Sequence, residues 1–466
     1  MVESTGWRAN DLKNSQRVKG WIVLFLVCGF PLLTFKSANA GEEHYTNIVV
    51  GERPAGLGGA YTAVADDSSG LYYNPAGVVY GAGKNLSVST NGFYASLTTY
   101  DNAIGNHSWV RTSSILVPNF FGVTQPLGPG VLGFSYAVPD SVLEDQDQIF
   151  DKPTSRYTTF AINFNKEDNS YNAGPSYSMQ LGPNFAVGVT LYLHHRNKQV
   201  INNLFLTKDN GKNIWQNTYL ETEEYGSRPL LGIMWTPAQG KFSFGLAISK
   251  TTIYWSPTAF QQVYKEGLSA TDQTNLKENL ESLYGGPGLP VPWSQDTLIS
   301  VLQLLGYKLE DGVLTAENRT KSTLQRDMPT RLAVGVAWFP TASLLLSCDY
   351  VYFSETKEVK ELSINKKKPV SNFSIGMEYY LADTWAFRAG AYNDQTNTYP
   401  VGENGSDEHV DLYGLSMSLT HFSKGTSLSA GFSYGFGTGQ AQKGNEPVAN
   451  ADIKSILMYL GSSVSY

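Results

Sequence analysis

Apolar and polar residues alternate along most of this chain with a period of two, in short segments separated by glycine, proline and polar turns. Such alternation marks strands with two unlike faces. It predicts fourteen strands, at 86–97, 115–124, 131–138, 171–181, 186–196, 229–236, 242–254, 331–339, 343–353, 373–381, 386–392, 410–422, 428–436 and 453–466. The links at 125–130, 182–185, 237–241, 340–342, 382–385 and 423–427 are short and fall at every even-to-odd junction, whereas the other links are long. Short turns at one end and long loops at the other, with an even strand number, are the habit of bacterial outer-membrane barrels. A further alternating stretch, 157–164, would invert this parity, so it is assigned to an outer excursion spanning about 139–169. Both ends of the barrel then face the periplasm.

The N-terminal region departs from the pattern. Lys13, Arg17 and Lys19 precede an apolar run from Trp21 to Phe35, and Ala38-Asn39-Ala40 offers the small residues of a signal-peptidase site. Residues 1–40 therefore read as a signal peptide. The run is shorter than the ~20 residues of a spanning helix, and Val27 before Cys28 argues against lipoprotein processing. Cleavage leaves Cys348 as the sole cysteine, and 29 basic against 39 acidic residues, a net charge of −10. No intrachain disulfide can then form, and a nucleic-acid partner is not expected. Composition agrees with an exported barrel: 16% of residues are charged, against about 25% in soluble domains, alongside 28 Tyr, 22 Phe, 9 Trp and 45 Gly.

The end of the chain, Gly461-Ser-Ser-Val464-Ser-Tyr466, resembles the assembly signal by which barrel assembly machinery takes up outer-membrane proteins. Between signal and first strand, residues 51–77 are rich in Gly and Ala. Gly58-Gly59-Ala60 and Asn74-Pro75-Ala76, together with Met328-Pro329-Thr330-Arg331 and the block from Phe373 to Gly390 with Arg388 before Gly390, resemble the FadL/TodX family of outer-membrane transporters for long-chain fatty acids and aromatic hydrocarbons. The resemblance implies an all-β fold: a monomeric, fourteen-stranded antiparallel transmembrane β-barrel (85–466), with an N-terminal hatch (41–84) inside the lumen and helical extracellular loop insertions. A barrel this wide is an open pore unless filled, and small residues let a plug approach the wall closely.

The resemblance also places a ligand-collecting groove between two outer insertions, about 197–228 and 255–329. Within the second, Leu276, Leu280 and Leu283, then Leu298, Val301, Leu302 and Leu305, recur at helical spacing, the latter after Ser294 or Asp296 as N-cap. They are candidates to line the groove or to pack the loop upon itself. Arg196 and Lys198 at the outer end of the fifth strand, and Lys368 in the run Lys366-Lys367-Lys368, are candidate carboxylate ligands, although the family's arginine position falls nearer Ile201. For the lysine run the favoured reading is a solvated loop in contact with lipopolysaccharide phosphates. Family members release ligand sideways near strand three, where Gly133, between Pro129 and Pro139, is the candidate for a lateral opening.

Catalytic signals are weak. His194 and His195 are adjacent on a strand and point to opposite faces, so they do not share a metal, and no nucleophile elbow or metalloprotease helix occurs. No metal or cofactor is expected. The functional expectation is passive, hatch-gated uptake of a hydrophobic small molecule by a non-enzymatic protein in contact with outer-membrane lipid and lipopolysaccharide. The alternative is a barrel acting as a structural or cargo-handling partner of a secretion system.

Overall fold

The computed structural model describes residues 43–81, 84–237, 240–360, 364–443 and 447–465; the signal segment 1–40 lies outside them. Fourteen antiparallel strands close into a barrel: β1 (Asn85–Ile104), β2 (His107–Leu127), β3 (Gly130–Thr154), β4 (Tyr157–Gly182), β5 (Phe185–Lys208), β6 (Asn213–Trp235), β7 (Phe242–Lys250), β8 (Thr330–Thr341), β9 (Leu344–Phe353), β10 (Val370–Ala382), β11 (Trp385–Asp394), β12 (Leu412–Ser423), β13 (Thr426–Ala441) and β14 (Ala449–Ser465). β1 pairs with β14, Asn85 opposite Ser465, and so closes the ring. Every strand inferred from alternation is present, in the inferred order.

The outer surface fixes the membrane. Exposed apolar residues such as Leu231, Ile233, Leu246, Val334, Val336, Ile375, Leu415 and Leu419 alternate with buried ones along the strands. Cys348 joins this lipid face, opposite Val336 and Ile375. Two aromatic belts bound it. One runs through Tyr136, Tyr171, His195, Tyr225 and Trp255, each ring against the next. The other contains Trp235, Phe244, Phe242 and Trp338 near the short turns. Tyr225 and Trp235 on β6 belong to different belts. At about 3.3 Å per residue and a tilt of about 40°, the separation is about 25 Å, the height of an outer-membrane apolar band.

The wall is uneven. β3 to β6 have 25, 26, 24 and 23 residues, against 9 in β7, and a spanning strand needs about 9–11. This corrects two expectations. Segment 139–169 is no separate excursion: β3 and β4 continue through it and meet at a turn before Tyr157, so 157–164 is the start of β4 and leaves the parity unchanged. Segment 197–228 is likewise the continuation of β5 and β6, paired from Asn197 opposite Glu223 to Thr207 opposite Asn213. The ladder persists beyond the membrane because the inward residues there, including Phe150, Phe160, Ile162, Phe164 and Leu204, have an apolar core of their own to face.

A hatch of residues 43–81 occupies the lumen, with helices α1 (Glu52–Gly56) and α2 (Gly70–Tyr73) and a 3₁₀ turn, Pro75–Tyr80. Between β7 and β8 the chain adds a strand, Thr258–Gly267, that extends the tall sheet beyond β6. Helices α3 (Ala270–Tyr284) and α4 (Gln295–Leu304) follow. Of the two candidate caps it is Ser294 that caps α4, and Ser269 with Asp272 forms a capping box on α3.

Candidate functional site: the hatch and the chambers above it

The hatch touches the wall through backbone as much as through side chains. Lumen-facing glycines lie in register on adjacent strands: Gly188 opposite Gly232, Gly245 opposite Gly335, and Gly376 opposite Gly390. A Cβ on Gly390 would stand 2.3 Å from the Gly58 nitrogen, so no other residue fits there without displacing the hatch. Gly58 and Gly59 themselves adopt φ of 64° and 86°, a left-handed turn suited to glycine. Ala60 is fully buried behind that turn.

Polar wall groups complete the docking. Asp349 on β9 accepts the Tyr61 and Thr62 N–H groups at 2.9 and 2.7 Å through one oxygen. Asn74 donates to the Thr62 carbonyl at 2.8 Å and to the Ile233 carbonyl of β6 at 3.0 Å, while its own oxygen accepts the Ala76 N–H. Pro75 and Ala76 sit against Gly188, and Ser178 donates to the Pro75 carbonyl. Arg53 of α1 binds both oxygens of Glu378 at 2.9 and 3.0 Å, and also pairs with Asp66. Arg388 binds the same Glu378 at 2.5 Å. A buried carboxylate is thus held between a hatch arginine and a wall arginine, an arrangement that is costly to break by removing one member.

The first part of this hatch, residues 43–49, crosses the lumen as a strap above the rest of it. At one end the Glu43 carbonyl accepts the Asn397 N–H at 2.7 Å, and His44 lies 3.2 Å from Asp394. At the other end Asn47 donates to Asp140 at 2.8 Å, Ile48 N–H to the Pro139 carbonyl at 3.2 Å, and Asn119 to the Val49 carbonyl at 3.0 Å. The strap separates two cavities that both include His44, Asn47 and Ile48 in their walls: one of about 220 Å³ toward β4–β11, and one of about 100 Å³ toward β1–β3.

The strap ends where the wall itself is interrupted. β2 and β3 pair only from Phe120 opposite Ala137 to Leu127 opposite Gly130; farther out β2 stays with β1 and β3 with β4. Pro118 and Pro139 border the interruption, and neither has an N–H to give a ladder. Side chains close the seam: Arg111 of β2 pairs with Glu144 of β3, its Nε donating at 2.9 Å, and Ser113 donates to the Leu143 carbonyl at 2.7 Å. The smaller cavity lies directly inside, lined by Arg111, Ser113, Ser141 and Glu144.

The positions singled out from sequence are distributed unevenly. Gly58, Gly59, Ala60, Asn74, Pro75 and Ala76 converge at the hatch–wall contact. Gly133 has unbroken pairing, opposite Thr124 and Ser176, and Leu71 of the hatch fills the space against it; the interruption begins farther along the same strand. Leu276, Leu280, Leu298 and Leu302 are at most 2% exposed, inside the outer apolar core, with Leu305 packed against it. Of the two roles expected for these five, the structure shows the packing one, with Tyr157, Phe160 and Leu206 of the tall wall as partners. Leu283 is exposed. Arg196 lines the larger cavity but is committed to Asp168, at 2.7 and 2.8 Å, and to Glu224 at 3.2 Å. Lys198 is buried farther out, and Lys368 lies in the loop before β10, its N–H bonded to the Asn397 carbonyl at 2.8 Å. His194 is buried and His195 sits in the outer aromatic belt, on opposite faces as expected. No cluster of potential metal ligands occurs among the described residues.

Missing from the sequence reading were Asp349, Glu378, Arg53 and the paired wall glycines. Their signal was present: a carboxylate or glycine at the lumen position of an otherwise alternating strand has to answer something inside the barrel.

Together these features define a fourteen-stranded transmembrane β-barrel whose lumen is occupied by the N-terminal segment 43–81. The particular architecture is that of the FadL and TodX channels. The toluene transporter TodX of P. putida superposes with a TM-score of 0.59 over 91% of this chain and 99% of its own, at 12% identity. The Ralstonia pickettii toluene transporter TbuX gives 0.56 over 90% and 99%, at 11% identity. A Pseudomonas aeruginosa FadL homologue gives 0.54 over 90% and 99%, at 14% identity. At these identities the likeness is one of fold. No protein-family model matches the sequence, and neither does any curated protein.

Proposed function

We propose that this protein is a passive outer-membrane channel for hydrophobic small molecules, gated by its N-terminal segment. The observation that carries the reading is the pair of cavities divided by the strap, above a hatch that otherwise fills the lumen. The larger cavity, about 220 Å³, is smaller than the ~300–1,000 Å³ of ordinary ligand pockets. A ligand therefore needs the strap to yield, and its yielding joins the larger cavity to the one behind the β2–β3 seam. The fold shared with toluene transporters and with a FadL homologue supports the same class of cargo. Sideways release through the seam spares an apolar ligand the aqueous periplasmic side, where each CH₂ exposed costs about 0.8 kcal/mol.

The test locks the strap. Asn47 and Asp140 touch at 2.8 Å, so N47C/D140C places two thiols at the strap's anchoring point. Uptake of labelled toluene and oleate by cells should fall on oxidation and recover on reduction. Uptake that is the same with and without the protein would remove the transport reading and favour a structural role in a secretion assembly.

A further inference from the structure

The tall wall has an outer face that neither the apolar band nor the lumen accounts for. On β6, Trp215 lies as far outward from Tyr225 of the outer belt as Trp235 of the other belt lies inward. At about 3.3 Å per residue and a tilt of about 40°, it stands about 25 Å above the belt. Ile149, Ala161, Phe205 and Trp215 are opposite one another in turn and form one row across β3 to β6. Their chain neighbours Phe150, Phe160, Leu204 and Ile214 point into the core, so this row points outward, with Ile149 68% and Phe205 40% exposed. Acyl chains do not reach this height, and an exposed apolar row beyond their reach marks an interaction surface.

One step nearer the membrane the same strands carry a row of amides. Asp147, Asn163, Asn203 and Asn217 stand opposite one another in turn. Asn163 Nδ2 donates to Asp147 Oδ1 at 2.5 Å, Asn203 Nδ2 to Asn163 Oδ1 at 3.2 Å, and Asn217 Nδ2 to Asn203 Oδ1. The ladder fixes the plane of each amide and leaves each with a second N–H. Between this row and the belt, the charged side chains on the outer face of β3 to β6 are carboxylates: Asp145, Glu167, Glu221 and Glu223. A phosphate is repelled there, whereas a neutral polyol is not. Amides held in one plane bond hydroxyl groups, and an aromatic ring beside them accepts the C–H face of a sugar ring. Lys265 of the strand added beyond β6 lies 5.7 Å from the centroid of the Trp215 ring and steadies it.

We propose that the outer face of β3 to β6 binds the core sugars of lipopolysaccharide, with the amide ladder on hydroxyl groups and with Trp215 and Phe205 against the sugar rings. Continuity selects this occupant. The face rises from the belt of Tyr171, His195 and Tyr225 on the same side of the sheet that meets lipid below, so it stands in whatever layer covers the outer leaflet. The sign of its charge selects sugar over phosphate. This contact is separate from the one expected of the Lys366-Lys367-Lys368 run, which would meet phosphates, and it is independent of what the lumen carries.

The experiment compares two lipopolysaccharides that share one lipid A, one with a complete core and one lacking heptose and everything beyond it. Each is titrated against the purified protein in a polyoxyethylene detergent, which carries no sugar, with EDTA present to remove bridging cations. The complete-core form should bind the unaltered protein at least about 10-fold more tightly, the worth of a few hydrogen bonds and ring contacts. W215A and N203A should each weaken it by about 3-fold to 10-fold. Both variants should bind the heptose-free form as the unaltered protein does, which also shows that they fold. Equal affinity of the unaltered protein for the two forms overturns the inference and leaves the apolar row to a protein partner. Unchanged complete-core binding in both W215A and N203A overturns it as well. So does a preference for the complete core that appears only when EDTA is replaced by magnesium, because the carboxylates would then be holding phosphates through the cation.

Discussion

Replacing Asp349 with alanine should loosen the hatch and leave the barrel standing. The carboxylate is 1% exposed and one of its oxygens accepts both the Tyr61 and the Thr62 N–H groups, at 2.9 and 2.7 Å. Alanine leaves two buried backbone donors without a partner, and each such group costs about 1–3 kcal/mol. The docking of residues 57–66 should therefore weaken by about 2–6 kcal/mol, with the lower figure expected if water enters the vacated space. Even about 2 kcal/mol raises the open fraction about 30-fold. Asparagine in the same place keeps an acceptor oxygen and should do far less. Hydrogen exchange read by mass spectrometry on purified protein would report it: peptides covering 57–66 should lose protection in D349A, while peptides from β8 to β10 keep theirs. Planar-bilayer conductance should rise in parallel. Equal protection of 57–66 in D349A and the unaltered protein would refute the reasoning, and so would a loss spread evenly over the barrel, because the carboxylate would then be holding the wall and not the hatch.

Other perturbations address other contacts. Gly390→Val puts a side chain where the Gly58 nitrogen and the Leu57 carbonyl carbon stand 2.3 Å from a Cβ; the barrel should still form its heat-modifiable band on a denaturing gel, with the hatch more open to protease. Asn74→Ala removes the donors to Thr62 and Ile233, about 1 kcal/mol each, and should speed proteolysis around residues 70–80 without altering strand content by circular dichroism. Ser269→Ala should cost α3 about 1 kcal/mol through its lost cap, seen as lower exchange protection confined to 270–284. In the same cap, desolvation pushes the Asp272 carboxyl up, but bonds from the Ser269 N–H and hydroxyl and the Lys208 ammonium outweigh it and hold the group below its ordinary value. A depressed value means that its contribution is complete above the unfolded value of about 3.9 and is lost as pH falls through the lower folded value. Protection factors for α3 should accordingly be flat from neutral pH to about 5 and decline only below about pH 4; constancy down to about pH 2 would count against the pairing.

Strand order, strand number and the side of the short turns were legible in the chain because alternation is local: each residue's face follows from its neighbours at i±2. The same locality found both outer helices and narrowed the cap of the second to Ser294 or Asp296. It stopped short on 139–169 and 197–228, since a strand beyond the membrane looks like loop until the core it faces is known, and that core draws on Tyr157, Leu206, Leu276 and Leu302, far apart in sequence. The hatch was legible as small residues, Gly58-Gly59-Ala60 and Asn74-Pro75-Ala76, but its partners were not. Gly390 and Asp349 acquire meaning only when the barrel brings them within reach of residues 57–62. The cations divide in the same way. Sequence singles out Arg196 and passes over Arg228, which it leaves in the insertion 197–228, and only the closed barrel decides that Arg196 meets Asp168 and Glu224 while Arg228 meets the ring of Tyr72. Alternation determined which face each side chain takes; register and closure, which are properties of the whole ring, decided what each inward side chain finds there.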